Sequence, residues 1–229
     1  MSSTITGISS MATRQVLADL AVAFEQSQGC QVAIESVGGV DAAKRVQAGE
    51  TFDVVVLAAN AIDALMAGGH LVAGSKVDLV RSGVAIAVRA GAPRPDVASE
   101  DALRRAVQAA RSLSYSTGPS GVHLAKLFER WGLADEIQSR IVQAPPGVPV
   151  GTLVARGEVE LGFQQLSELM HLPGIEVIGP LPPAVQILTT FSAAIGAHSM
   201  QPDAARRLLE FMASPQAADT QRRHGMAPA

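Results

Sequence analysis

Short runs of β-branched and aliphatic residues alternate along this chain with Ala- and Leu-rich stretches of helical period, and glycines or small polar residues stand at the joins. That alternation is the signature of βαβ units laid on a largely parallel sheet. Strands are read at Ile5–Ile8, Gln31–Ser36 and Asp53–Ala58. Helices follow them over Ala12–Gln28, Asp41–Ala48 and Ala61–Ala67. In the first helix Val16, Leu20, Ala23 and Phe24 share one face at 3.6-residue spacing. The run after Asp53 has no polar alternation, which predicts a strand covered on both sides.

A second block opens at the apolar strand Val84–Val88 and the turn residues Gly91–Asp96. Ser99 is a cap for a helix over Glu100–Ala110, with Glu100 and Asp101 in its first turn. A strand at Leu113–Ser116, helices over Val122–Trp131 and Val150–Arg156, a strand at Leu161–Gln164, a helical turn at Ser167–Met170 and a strand at Glu176–Ile178 complete this block. The chain then returns through a strand at Leu188–Ile195 and a helix over Pro202–Met212, and Ser214–Ala218 begins a closing helix. The expected organisation is an α/β fold of two lobes, residues 1–82 with 188–229 and residues 83–187, joined by two hinge crossings.

Composition narrows the function. With 229 residues, 48% of them apolar, the chain can bury a sizeable core, and with only 3% aromatic that core must be Ala, Val, Leu and Ile. A net charge of −3 and the lack of a Lys/Arg-dense stretch count against a nucleic-acid partner. Cys30 stands alone, which rules out an internal disulfide and a cysteine-based zinc site. No histidine pair has ligand spacing and no nucleotide-binding loop is present, so neither metal nor cofactor is expected. No apolar run reaches the roughly 18 residues of a membrane helix. The start MSSTITGISS does not read as a secretory leader, so the expectation is a periplasmic location if a leader has been removed and a cytoplasmic one otherwise. A monomer is expected.

In open α/β sheets ligands gather beyond the carboxyl ends of strands, where helix N-termini offer N–H groups and partial positive charge. Corners of this kind occur at Ser9-Ser10, Gly38-Gly39, Thr117–Gly121 and Gly162–Gln165. The candidate ligand-binding residues are accordingly Ser9, Ser10, Gly38, Gly39, Ser116, Ser120, Gly121, Val122, Gln164 and Gln165, with Val148 from the stiff loop Pro145–Pro149. The charged candidates are Arg14 in the first turn of the first helix, Arg45 one turn into the second, and His123, read as the second residue of the helix after that glycine-serine corner and a candidate base. Each of these residue types is also common in ordinary caps and on solvated helix faces. Glu158 and Glu160 form a superficial carboxylate pair, of the kind usually left to solvent.

The stretches Gln47–Ala59, Ser82–Pro93, the Pro-Ser-Gly helix start and Ala155–Leu169 occur in an order that resembles the type II periplasmic solute-binding proteins of molybdate transport. The resemblance implies a cleft between lobes that closes by hinge motion on a small anion, without a metal, and an ABC transporter membrane subunit as partner. Where that family places serines and a tyrosine, this chain has glycines at Gly38-Gly39 and a glutamine near Gln165. Each hydroxyl donor lost to a charged ligand costs roughly 1.5–3 kcal/mol, which counts against molybdate itself. AVRAGAPRPD (Ala87–Asp96), SLSYSTGPSGV (Ser112–Val122) and VELGFQQLSEL (Val159–Leu169) resemble more closely a branch of this superfamily that includes aconitate isomerase. That branch implies a di- or tricarboxylate ligand and, as an alternative to binding alone, an isomerase that shifts a double bond, with His123 and Arg45 as base and clamp.

Overall fold

The computed structural model describes residues 4–145 and 147–229, so Pro146 of the predicted stiff loop and Met1–Ser3 lie outside the described residues. The chain divides into two compact units, residues 1–81 with 190–229 and residues 82–189.

The first unit opens β1 (Ile5–Ser10), α1 (Arg14–Gln28), β2 (Val32–Val37), α2 (Gly39–Gln47), β3 (Val54–Ala58) and α3 (Ala59–Ala67). Strands β2, β1 and β3 lie side by side and parallel, with Ile5 opposite Val32 and Gly7 opposite Val54. A one-turn 3₁₀ segment, Met11–Thr13, leads from β1 into α1. Strand β4 (Val77–Arg89) begins in this unit and ends in the other.

The second unit continues with α4 (Glu100–Ala109), β5 (Leu113–Tyr115), α5 (Pro119–Arg130), α6 (Ala134–Ile137), α7 (Val150–Arg156), β6 (Leu161–Gln165), α8 (Leu166–Leu169) and β7 (Ile175–Pro180). Here β5 runs parallel to β6, while β6 and β7 both pair antiparallel with β4. The chain re-enters the first unit along β8 (Leu188–Ile195), antiparallel to β3, then forms α9 (Pro202–Met212), α10 (Ala218–Arg223) and the short β9 (Ala227–Pro228) against β4. This is the mixed α/β architecture expected from the sequence.

The double-sided burial predicted for β3 is met residue by residue. Val54, Val56 and Ala58 pack with Leu17, Leu20 and Phe24 of α1 and Leu208 and Met212 of α9. Val55 and Leu57 pack on the opposite side with Val46 of α2 and Ile62 and Leu65 of α3. Strand β4 behaves likewise in the second unit. Val84, Ile86 and Val88 join Leu103, Leu113, Phe128 and Phe163, whereas Ala85 and Ala87 face Leu169. Small residues on that second face let a short helix sit close to the sheet.

Most element starts fall within two residues of the sequence reading, and two differ by more. Helix α5 begins at Pro119, because proline at the first helical position has its φ preset and lacks an N–H that would be unpaired there. Strand β4 begins at Val77, seven residues early. Its polar Asp78 is matched by the Ser192 hydroxyl on β8, which donates to it at 2.6 Å.

Candidate functional site

In the first unit the carboxyl ends of β1 and β2 meet in register, Ser9 opposite Ser36 and Ser10 opposite Val37. Ser9 is fully buried, and its hydroxyl lies 2.8 Å from that of Ser36. That pairing fastens the strand ends and leaves Ser10 as the serine at the helix entrance. Its Oγ accepts from the Ala12 N–H, and its carbonyl accepts from Thr13 Oγ1 at 2.9 Å. Gly38 caps α2 without a side chain, and a Cβ on Gly39 would come within 3.5 Å of Ser10 Oγ. The two corners are therefore immediate neighbours. Asp41, in the first turn of α2, folds its carboxylate back toward Gly38 and supplies negative charge to that helix end.

Arg45 is spent elsewhere. Its guanidinium makes two bonds to Glu35, at 2.8 and 2.9 Å, and two to Glu50, at 2.6 and 2.5 Å, over the face of Phe52. Hydrogen bonds from Arg45 hold both carboxyls below the usual range. The clamp expected of Arg45 thus closes on two carboxylates of its own unit.

In the second unit the turn from β5 into α5 brings Ser116 and Ser120 together, hydroxyls 3.1 Å apart, with Ser120 and Gly121 buried. Gly121 is dictated by a close approach: a Cβ there would lie 1.6 Å from the Ser116 carbonyl oxygen. The first intrahelical bond of α5 runs from Val122 N–H to Gly118 O. The amides before it, those of Ser120 and Gly121, have no intrahelical acceptor in an α-helix and point out of its positive end. The Val122 N–H is used inside the helix and its side chain is exposed, so Val122 contributes no donor. His123 falls five residues into α5, a turn deeper than the sequence reading places it, and is exposed. Val148 directs its N–H to the Pro145 carbonyl within its own turn.

Gln164 and Gln165 end β6, both buried. The Gln165 amide donates to Thr189 Oγ1 at 2.9 Å, leaving its Oε1 buried without a partner among the described residues. The Gln164 oxygen accepts from the Gly151 N–H in the first turn of α7, and its nitrogen donates to Glu168 of α8 at 2.8 Å. Glu168 is the group the sequence reading missed. Desolvation dominates its environment and pushes its carboxyl up to about 7, against the smaller opposing effect of the Gln164 bond. The residue keeps part of its surface. Glu160, by contrast, accepts from the Arg111 backbone N–H and pairs with its guanidinium, and Glu158 lies 3.8 Å from Arg156. The carboxylate pair of the sequence is structural. A lone acid in the otherwise neutral stretch Leu161–Leu172, four residues after a strand-end glutamine, was the available signal for Glu168.

Among the described residues no group of three or more acidic, histidine or cysteine side chains is placed to hold a metal ion.

Comparison with known proteins agrees with this architecture. The family model for bacterial extracellular solute-binding proteins matches residues 5–227. Aconitate isomerase of a Pseudomonas species is 39% identical over 231 aligned residues, covering 98% of this chain and 88% of that protein. The periplasmic molybdate-binding protein of Azotobacter vinelandii superposes with a TM-score of 0.81 at 20% identity, covering 97% of this chain and 98% of that one. The sulfate-binding protein of Mycobacterium tuberculosis does so with a TM-score of 0.79 at 16% identity, covering 99% and 87%. The chain belongs to the bacterial extracellular solute-binding proteins and has the mixed α/β fold of their type II periplasmic members.

Proposed function

We propose that this chain binds a small carboxylate anion, of the size and charge of aconitate or citrate, at the entrance to α5. The observation that carries the reading is the entrance to α5, where two hydroxyls and the first helical amides lie beside a glycine whose replacement would force the backbone to move. Such a corner offers neutral donors with positive character to an anion and needs no metal. The relatives support an anion in general, since solved neighbours of this fold are named for molybdate and sulfate. The preference for a carboxylate rests on the aconitate isomerase relative. In a transport role the bound anion would pass to the membrane subunit of an ABC transporter.

A thermal-shift panel of molybdate, tungstate, sulfate, citrate and the two aconitates tests the reading. Ligand at 100 times its dissociation constant adds about 2.7 kcal/mol of stability. Stabilisation by citrate or an aconitate is expected, and a response confined to the tetrahedral oxyanions would overturn the carboxylate assignment.

A second reading, isomerisation of an unsaturated tricarboxylate, is favoured by the 39% identity to aconitate isomerase. Shifting a double bond requires a group that takes a proton from one carbon and returns it to another. Following the conversion of trans- to cis-aconitate by NMR separates this reading from binding alone.

A further inference from the structure

We infer that Glu168 is the proton-carrying catalytic residue of this chain and Gln164 its positioning residue, an assignment that rests on the isomerase reading. Three observations converge on it. Helix α8 starts directly at the carboxyl end of β6, so Glu168 stands one turn beyond a strand end, where ligands of α/β sheets gather. Gln164 holds the carboxyl from one side and the first turn of α7 from the other, which fixes the position of the Glu168 oxygens. Finally, Glu168 has no cationic partner among the described residues, whereas Glu35, Glu50, Glu100, Glu160 and Glu176 are each paired with an arginine. A desolvated carboxyl without a cation is costly to keep, and its surroundings favour the exchange of a proton near neutrality.

The chemistry balances with this one group. The Glu168 carboxylate removes a proton from the methylene carbon that lies beside one substrate carboxylate and next to the double bond. The electron pair released forms a new carbon–carbon double bond, while the old one opens toward its far carbon. That carbon takes the proton back from the Glu168 carboxylic acid. No atom is gained or lost, and no oxidant or co-reactant is needed. A carboxyl near 7 is present in both forms at neutral pH, so it serves the reaction in either direction.

The test compares the wild-type chain with Glu168→Gln and Glu168→Leu, using trans-aconitate in deuterated water. For the wild type, conversion to the cis isomer and deuterium entry into the methylene position are expected. In both variants conversion and exchange should fall about 10²- to 10⁴-fold, while stabilisation by aconitate in a melting experiment, which also reports folding, is retained. Turnover within tenfold of wild type in either variant would overturn the assignment while leaving the isomerase reading intact. A wild-type chain that aconitate stabilises but that neither converts nor exchanges it would overturn both the isomerase reading and the assignment, and would leave the binding reading in place.

Discussion

The Gln164 side chain bridges Gly151 and Glu168, accepting from the backbone N–H of the first and donating to the carboxyl of the second at 2.8 Å. Strand β6 thereby fastens the helix before it and the helix after it through one amide. Gly162, two residues earlier on the same face, lets α7 lie close, since a Cβ there would come within 2.5 Å of Val154. The Glu168 carboxyl held by this amide is itself desolvated.

That desolvation has a signed consequence for stability. The Glu168 carboxyl is raised from 4.5 to about 7, so the folded state resists its ionisation. Below pH 4.5 the group is neutral in both states and costs nothing. As pH rises through 4.5 the unfolded chain ionises first, and the penalty grows until pH passes about 7. Glu168→Gln removes a penalty on the order of 3 kcal/mol. The variant should therefore match wild type near pH 4 and exceed it at pH 8. Urea midpoints across that range check the sign, and a variant less stable than wild type at pH 8 would refute it.

Gly121→Ala should be among the most damaging single-methyl changes in the second unit. The added Cβ meets the Ser116 carbonyl at 1.6 Å, a distance that only backbone displacement relieves. The expected loss is about 3 kcal/mol or more, at the upper end for overpacking. Stabilisation by citrate or aconitate should vanish with it, because the displaced residues carry the hydroxyls and amides of the α5 entrance. A variant that keeps both its melting temperature and its ligand response would show that this corner is not part of the site.

Arg45→Met separates two roles. The Glu35–Arg45–Glu50 network is solvent-facing, so its loss should lower the melting temperature slightly, and less so at high salt, where exposed pairs are screened. The anion-induced melting shift should be unchanged, because Arg45 is committed to its own unit's carboxylates. Abolition of the shift would restore Arg45 as a clamp on the ligand.

The fold was legible because hydrophobic periodicity and burial are the same physics. The run Val54–Ala58 could satisfy its side chains only by lying between two layers, and it does. The site was less legible because hydrogen-bond partners are set by tertiary neighbours. Nothing in the local sequence tells that Glu35 and Glu50 meet at Arg45, or that Gln165 reaches Thr189 across 24 residues. The place of His123 in its helix turns on Pro119, a residue equally at home in a turn, which here opens the helix. Glu168 is set apart by desolvation that tertiary packing imposes, and in the local sequence it shows only as a lone acid in a neutral stretch.

Asp53 provides the opposite pH signature from Glu168. It is buried at the foot of β3, where burial alone would raise its carboxyl, but hydrogen bonds from Ser199 at 2.6 Å and from the Thr6 N–H and hydroxyl at 2.9 and 3.0 Å outweigh that and hold it low. These bonds join the start of β1, the start of β3 and the connection from β8 to α9, and the longest of them spans 146 residues of chain. With the folded value below the unfolded 3.8, the ionised carboxylate contributes its full stability above that pH. The contribution is lost as pH falls below 3.8 toward the folded value. Asp53→Asn keeps the shape but exchanges a charged acceptor for a neutral amide, at a cost of about 2 kcal/mol near pH 7. The gap between wild type and variant should stay constant from pH 7 to about 5 and narrow below 4, read from urea midpoints at each pH. A gap that widens on acidification would mean that Asp53 is not held as an anion in the folded chain.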